Sequence, residues 1–367
     1  MKKIVLTLLL TLIGISQNFA IVEASELNFA VEAIIPENQR DKSKTYFDLR
    51  IDPNVEQTIE INLRNDTEKD IIVEPSVNSS TTNLNGVIEY GETKIKQDST
   101  LLIDLKKIVS VPKEVVVPAN DAIKVPLKIK MPATKFDGIL SGGITIKEKD
   151  TAIDTNKSNN QGLAINNKYA YVVALLINQT DKEIVPNLKL NSVLPAQVNA
   201  RNVINANIQN IESAYVNAMN VSAKVTKKGS SEVLYRSNKK NMQMAPNTNF
   251  YYPISLDGKK LEAGEYTLTL DAKAKEGKWK FTKNFTINSE DANKYNQSDV
   301  SIKKDNSWIY ILILVFLLAL ISLLLFFIWK QKKKKEQKRQ EEARRRKIAR
   351  LRKKRKQRLE NNKKNSV

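Results

Sequence analysis

The chain has 367 residues, a formal net charge of +20, and neither Cys nor His. It therefore has no Ser-His-Asp or Cys-His catalytic centre, and it lacks the commonest zinc ligands. An exported chain without Cys contains no disulfide, which favours a bacterial cell-surface protein over a eukaryotic ectodomain.

The first residues predict a secretory signal peptide. Lys2 and Lys3 precede an apolar run over residues 4–15, and positions 22–24 offer a signal-peptidase site. The apolar run is short for a membrane span, so a retained anchor is the less favoured alternative. We predict that residues 1–24 are removed by cleavage after Ala24.

Residues 25–149 contain short segments of alternating apolar and polar residues, separated by turn residues. In one of them Ile59, Ile61 and Leu63 share a face, and we expect residues 70–77 to be its hairpin partner. Seven or so short strands of this kind predict an antiparallel β-sandwich of immunoglobulin-like type.

A second domain of the same type is predicted for residues 169–288, after a polar linker at residues 150–168. The linker is rich in Asp and Asn but lacks the spacing and central Gly of a calcium-binding EF-hand loop. Its neighbour, residues 169–177, is a short apolar strand that is compatible with closing the first domain or opening the second. We place it at the junction and begin the range of the second domain at residue 169.

A polar stalk, residues 289–307, leads to an uncharged apolar stretch at residues 308–329. As a helix this stretch is roughly 33 Å long, enough to cross a hydrocarbon core of about 30 Å. Trp308, Tyr310 and Trp329 lie near its ends, where aromatic rings favour the headgroup level. A buried helix of a soluble protein would be expected to have a polar face, so we predict a transmembrane helix.

Residues 330–367 contain twenty Lys or Arg and four Glu, whereas residues 25–307 contain thirty-eight basic and thirty-five acidic residues. The positive-inside rule then predicts a cytoplasmic basic tail and an extracellular all-β part. Such a tail attracts anionic inner-leaflet lipids. A nucleic-acid partner is not needed to explain the high pI.

Several segments, in order, resemble one family. They are Phe29-x-Val31 and residues 35–39, 45–49, 82–90, 136–138, 142–144, 186–190, 200–209, 261–268 and 279–281. Together with the single predicted membrane span that follows them, these segments resemble the WxL-interacting proteins of Gram-positive bacteria. The resemblance implies a peptidoglycan-binding first domain, a second domain that binds host components, and secreted WxL-domain proteins as partners at the cell wall.

Polar residues near predicted turns are candidates for ligand binding. Asp48, Asn83, Asn85 and Asp137 carry groups that hydrogen-bond carbohydrate, although capping of local turns explains the same residues. The acid and base of a glycosidase are a further reading of Asp48 with Asp52, or of Asp137 near the pair Gly142-Gly143, although carboxylates beside Pro or Gly are more often turn residues. The sequence implies no cofactor and no metal.

We therefore expect a cell-surface binding scaffold rather than an enzyme. A general surface adhesin is the main alternative, although no Leu-Pro-x-Thr-Gly sorting motif precedes the span. A cell-wall-active enzyme is a weaker alternative, because the chain offers no coherent set of nucleophile and base.

Overall fold

The computed structural model describes residues 28–149, 169–302 and 307–364, without the side chains of Ser307 and residues 357–364. The predicted signal peptide and linker lie outside these ranges. The chain divides into two compact units, one ending at Ile302 and the other beginning at Lys303. The described part of the first unit is mostly β-sheet, as the alternating patterns predict.

The first part of the β-structure consists of two main sheets, a small two-stranded sheet and a short helix. The elements are β1 (Phe29–Ile34), β2 (Phe47–Arg50), β3 (Glu56–Asn65), β4 (Ile71–Ser79), β5 (Thr81–Thr82), β6 (Ile88–Glu89), α1 (Leu105–Ile108), β7 (Val109–Ser110), β8 (Val115–Val117), β9 (Asp121–Lys130), β10 (Leu140–Glu148) and β11 (Ala170–Asn178). One sheet has the order β1-β3-β9-β7, and the other has the order β2-β11-β10-β4-β8. We call these two sheets the first sheet pair.

Both sheets of the first pair contribute to one apolar core. The predicted face of β3 is buried, since Ile59, Ile61 and Leu63 are at most 2% exposed. Phe47 and Leu49 of β2 enter the same core from the other sheet. The apolar residues of the alternating pattern that identified these strands are therefore the ones that pack between the two sheets.

The expected hairpin between β3 and β4 is wrong. β3 pairs with β1 and β9, whereas β4 pairs with β10 and β8 in the other sheet. Asn65 lies at the crossover, where its buried amide donates to the carbonyls of Lys69, Val117 and Pro118. The side chain thereby fixes a corner between the sheets, and a turn signature alone does not distinguish a corner from a hairpin.

The apolar strand at residues 169–177, which we placed at the junction of the two predicted domains, is hydrogen-bonded into the first sheet pair. This strand, β11, pairs antiparallel with β10 on one side and parallel with β2 on the other. Its Leu175 and Ile177 are fully buried in the first core. The boundary at residue 169 thus separates β11 from the sheet to which it is hydrogen-bonded.

Two further sheets follow, with a second apolar core between them. Their elements are β12 (Leu188–Val198), β13 (Arg201–Asn210), β14 (Val216–Lys227), β15 (Val233–Met244), β16 (Thr248–Ser255), β17 (Gly264–Lys273), β18 (Lys278–Ile287) and helix α2 (Ser289–Ser298). The sheet orders are β12-β13-β16 and β15-β14-β17-β18. We call these sheets the second sheet pair.

Residues 289–302 form part of the second sheet pair instead of the stalk that their polarity predicts. Asn288 caps the N-terminus of α2 by accepting from the Asp291 N–H. Asn296 then donates to the Leu261 carbonyl, and the carboxylate of Asp299 accepts from the Asn202 N–H. Polar side chains hold this segment by satisfying backbone groups, and Ala292 and Tyr295 pack against the second core.

Polar contacts join the two sheet pairs. The buried carboxylate of Asp98, from the loop before α1, accepts from the amides of Gln209 and Asn249. The hydroxyls of Thr82 and Thr248 lie 2.8 Å apart. These buried bonds cross from one core to the other, so we expect them to hold the two sheet pairs in a fixed arrangement.

The second unit contains one long helix, α3 (Ser307–Lys364). Every residue from Trp308 to Trp329 is exposed, and this stretch is long and apolar enough to be a candidate membrane span. The helix continues into the basic residues, where Glu341 lies 3.7 Å from Arg345 one turn later. The predicted apolar helix is therefore present, with charged residues beyond it.

Candidate functional site

A cleft of about 350 Å³ lies beside β2 and the segment that follows β11. The parallel register places Asp48 opposite Leu176 and Arg50 opposite Asn178. The cleft is lined by Arg40, Gly138, Ile139, Asn178, Thr180, Asp181, Lys182, Glu183, Ile184, Ser213 and Ala214. Charged groups from distant parts of the sequence thus meet at one edge of the first sheet pair.

Two arginines converge on Asp181 at the rim of the cleft. Arg50 Nη1 lies 2.6 Å from Asp181 Oδ2, and Arg40 Nη2 lies 3.9 Å from Oδ1. The hydrogen bond from Arg50, with its positive charge and that of Arg40, lowers the pKa of the Asp181 carboxyl below its ordinary value. Because the Asp181 side chain is 76% exposed, the ion pair is solvated and contributes little to stability.

Asp48, one of the predicted site residues, does not line the cleft itself but contacts two residues that do, Arg40 and Asn178. Its carboxylate lies 3.6 Å from Arg40 Nη1 and accepts from the amide of Asn178 at 3.2 Å. The backbone of Asp48 is also held, because its N–H donates to the Gln39 side chain. Asp48 therefore orients Arg40 and Asn178 rather than standing free in solvent.

Asp137, the second predicted carboxylate, lies at the adjoining surface. It accepts hydrogen bonds of 2.8 Å from the Lys182 ammonium and the Thr180 hydroxyl, and these bonds lower the pKa of its carboxyl. A glycosidase acid requires a raised pKa, so this environment suits a fixed anion instead. Asp137 keeps Lys182 at the edge of the cleft.

Gly138 brings the second sheet pair to the cleft. Its positive φ of 86° lets Ile139 donate its N–H to the Ser213 carbonyl at 2.8 Å. An added Cβ at position 138 would collide with that carbonyl and with the Ser213 side chain. Only Gly fits this close approach, so its position in the sequence reflects packing.

Asn83 and Asn85 lie away from this cleft, in the turn between β5 and β6. The Asn83 side chain accepts from the Asn85 and Val87 N–H groups and donates to Glu89. Gly86 completes the turn with φ +68°, and its carbonyl accepts from the Gln243 N–H of the second sheet pair. The structure thus uses the Asn83 amide for turn capping and separates these residues from Asp48 and Asp137.

Sequence reasoning missed Arg40, Arg50, Asp181 and Lys182. Arg50 ends a recognised strand, and the pair Asp181-Lys182 follows another, but no local pattern relates them. Their proximity depends on the parallel pairing of β2 with β11, whose partners are far apart in the sequence. Across the described ranges, no group of three or more carboxylates converges as a metal site.

The arrangement can bind an anion in exchange for Asp181. Guanidinium groups present planar forks of donors that suit carboxylates, and Lys182 adds a third positive charge nearby. The carboxylates of Asp48 and Asp137 and the Asn178 amide supply acceptors and a donor at the same edge. The cleft is therefore equipped for a polar ligand that carries both carboxylate and hydroxyl groups.

Comparison with solved structures gives distant similarity to fimbrial chaperones. The E. coli chaperone DraB is 12% identical, with 71% of this chain and 95% of that chain covered and a TM-score of 0.27. The Pseudomonas aeruginosa CupB2 chaperone is 12% identical, with 65% and 96% covered and a TM-score of 0.27. The Acinetobacter baumannii CsuC-CsuE chaperone-tip adhesion subunit complex is 13% identical, with 64% and 93% covered and a TM-score of 0.29. Similarity at this level establishes neither a function nor a shared site.

No curated protein matches the chain significantly. Two family models do match. The peptidoglycan binding domain of WxL Interacting Protein matches residues 29–148, and the host binding domain of WxL Interacting Protein matches residues 160–297. The first match contains β1–β10, and the second contains β11–β18 and most of α2. In agreement with the resemblance of its motifs, the chain belongs to the family of WxL-interacting proteins.

Proposed function

We propose that this protein is a membrane-anchored scaffold of the Gram-positive cell surface that binds peptidoglycan, host components and secreted WxL-domain proteins. The two family matches, in this order and ahead of a candidate span, are the observation that carries the proposal. In this proposal each sheet pair is an immunoglobulin-like domain. The named activity of both matched domains is binding, and we propose no catalytic step.

We assign the peptidoglycan contact to the charged cleft, to which the peptidoglycan-binding match contributes Arg40, Gly138 and Ile139 and the host-binding match contributes the other lining residues. Peptidoglycan carries carboxylates on its peptides and hydroxyls on its sugars. A peptide carboxylate would replace Asp181 between Arg40 and Arg50, while sugar hydroxyls would bond to Asn178 and Thr180. Displacing Asp181 costs little, because its ion pair with Arg50 is solvated and contributes little to stability.

Removing the guanidinium groups of Arg40 and Arg50 will weaken peptidoglycan binding. We expect the double variant Arg40→Ala/Arg50→Ala to bind insoluble peptidoglycan about tenfold more weakly, as loss of charge-assisted bonds predicts. The measurement is sedimentation of the full chain in detergent with purified peptidoglycan. Both side chains are partly exposed, so the melting temperature should change little.

The matched control is Lys130→Ala/Lys147→Ala, which also removes two solvated cations of the first sheet pair but leaves the cleft intact. Equal weakening by this control would show that net charge, not the cleft, governs binding. Unchanged binding in the arginine variant would move the contact elsewhere.

The full chain should also retain secreted WxL-domain proteins of the same cells, and capture of none would remove the assembly role.

We assign the WxL-protein contact to open strand edges. In the five-stranded sheet the outer backbone groups of β2 are already bonded to residues 38–40, so the open edge is that of the three-residue β8. Edge strands carry unpaired backbone groups to which a partner strand can add.

The candidate span and tail supply anchoring and orientation in this proposal. The N-terminal β-structure lies outside the cell, and the basic end of α3 lies at the inner leaflet, where each Lys or Arg contributes about 1 kcal/mol with anionic lipid. Since the chain has no Cys, a single introduced thiol reports its own location without interference.

A membrane-impermeant maleimide will label Ser230→Cys but not Gln337→Cys on intact cells. Ser230 lies in the exposed turn between β14 and β15, and Gln337 lies beyond the span on α3. After cell lysis both variants should react, which controls for thiol reactivity. Labelling of Gln337→Cys before lysis would reverse the orientation.

A further inference from the structure

The positive charge of the β-structure is concentrated in one part of the second sheet pair. Residues 216–287 contain thirteen Lys or Arg and six Asp or Glu, whereas residues 28–149 contain seventeen and nineteen. This asymmetry is hidden in the near-neutral total of residues 25–307. Nine of these thirteen cations and two of the six acids lie in the strands of the sheet β15-β14-β17-β18.

The cations lie on the outward side of this sheet, which we call the basic face. Val221, Ala223 and Val225 of β14 are buried, so the alternate residues point away from the core. The face is defined by five exposed cations: Lys224, Arg236, Lys273, Lys278 and Lys280. Their cross-strand register puts all five on the same side.

Two pairs of like charges are directly opposed on the basic face. Lys224 pairs in register with Arg236, and Lys273 pairs with Lys278. Like charges at such positions destabilise a sheet. No Asp or Glu forms an ion pair with these four residues in the part of the chain that the structure describes, whereas Lys280 lies 3.9 Å from Asp271. Among the described residues, these four cations therefore lack a charged partner.

Mostly neutral hydrogen-bonding groups fill the space between these cations. Thr269 and Thr282 continue the row of Lys224, and the next row contains Asn238, Ser222, the carboxylate of Asp271 and Lys280. Four residues of β14 separate the row of Lys224 from that of Lys273, which is about 14 Å along the strand. The basic face therefore carries separated cations with hydroxyl and amide groups between them.

This chemistry fits an anionic polysaccharide. Separated cations bind a polymer with repeated anions, and hydroxyl and amide groups bind sugar hydroxyls. The cross-strand rows contain no aromatic residue, so the face lacks the stacking platform of a single-stranded nucleic-acid site.

We propose that the basic face binds a sulfated polysaccharide of host origin. The assignment to a host polymer rests on the proposed host-binding function of this sheet pair, within whose family match the face lies. Anionic polymers of the bacterial wall are the competing source of the same chemistry. The polymer replaces solvent at the opposed cation pairs and relieves their mutual repulsion.

The test is binding of fluorescent heparin to cells that display the full chain, normalised to the amount at the surface. We expect Lys224→Glu/Lys273→Glu to weaken binding by at least about tenfold, and rising salt to weaken wild-type binding. The control Lys124→Glu/Lys128→Glu makes the same charge change at exposed positions of β9, and less than about twofold weakening is expected. Lys224→Gln/Lys273→Gln, which removes the charges without introducing acids, keeps the test valid if the reversed variant misfolds.

Three results would overturn the proposal. Wild-type cells that bind no heparin, or equal weakening in both charge-reversal variants, would exclude a specific site on the basic face. Tighter binding of polyglycerol phosphate than of heparin would assign the face to a wall polymer. If heparin fails while immobilised host matrix proteins still bind, this proposal alone is lost. If neither binds, the host-binding function is lost as well.

Discussion

A fragment of residues 25–168 will fail to fold, whereas a fragment of residues 25–182 will unfold cooperatively in urea. The two differ by β11, which lies between β2 and β10 in the five-stranded sheet. Without it β2 has no neighbour in its sheet, and β10 loses the partner along one side. The shorter fragment ends within the linker that sequence analysis predicts.

The expected loss is comparable with the stability of a whole domain. Leu175 and Ile177 are fully buried, and each contributes about 1.5–3 kcal/mol by leaving water. The strand also supplies backbone hydrogen bonds to two neighbours, each worth about 1 kcal/mol net. Since domains are typically stable by about 5–15 kcal/mol, removing β11 leaves little or no margin.

Far-UV circular dichroism and urea unfolding of both fragments check this result. In the longer fragment, Leu175→Asp should reproduce the failure because it puts a charge into the core. Val172→Asp is the matched control, since Val172 is 46% exposed in the same strand. Equal stability of the two fragments would instead show that β11 is dispensable to the first sheet pair.

The fragments also show where sequence reasoning stops. Alternation identifies β3 and β9 because it reports which side of a strand is buried, and that is a local property. It does not report the neighbour of a strand, so the predicted partner of β4 was wrong and the sheet to which β11 belongs stayed open. Sheet pairing depends on contacts between residues distant in the chain.

The same limit applies to the candidate site. Asp48 and Asp137 were identified as polar residues near turns, and the structure places both at the edge of the first sheet pair. Their cationic partners, Arg40 and Lys182, were not identified because ion pairing across the β2–β11 junction has no local signature. Asn83 was identified by a turn signal, and its side chain caps that turn.

Asp98→Ala will lower the free energy of unfolding by about 3 kcal/mol, because hydrogen bonds to a charged group are worth about 1.5–3 kcal/mol. The Asp98 carboxylate accepts from Gln209 and Asn249 across the junction and from Thr100 in its own loop. Truncation leaves the two amides without their acceptor. Urea unfolding of the full chain in detergent measures the loss, and Asp66→Ala at an exposed ion pair should change stability by less than about 0.5 kcal/mol.

The same carboxylate makes the junction sensitive to acid. Burial opposes ionisation of Asp98, but hydrogen bonds from Thr100, Asn249 and Gln209 outweigh it and lower the pKa. A carboxyl whose pKa is lower in the folded chain contributes stability that is fully present above its unfolded pKa of about 3.9. That contribution is lost as the pH falls through the folded pKa, which lies below this value.

Other carboxylates respond to acid in the same direction, so the pH profile of the wild-type chain alone does not identify Asp98. Asp137 and Asp181 also have lowered pKa values, because of hydrogen bonds from Lys182 and Arg50. Asp98→Asn keeps the size of the side chain but cannot ionise, and its amide replaces an acceptor with a donor facing Gln209 and Asn249. Subtracting the profile of this variant from that of the wild type cancels the other groups. We expect the difference in unfolding free energy between wild type and variant to be constant above about pH 5 and to shrink below about pH 4. A difference that does not depend on pH would mean that the contribution of Asp98 comes from packing and not from its charge.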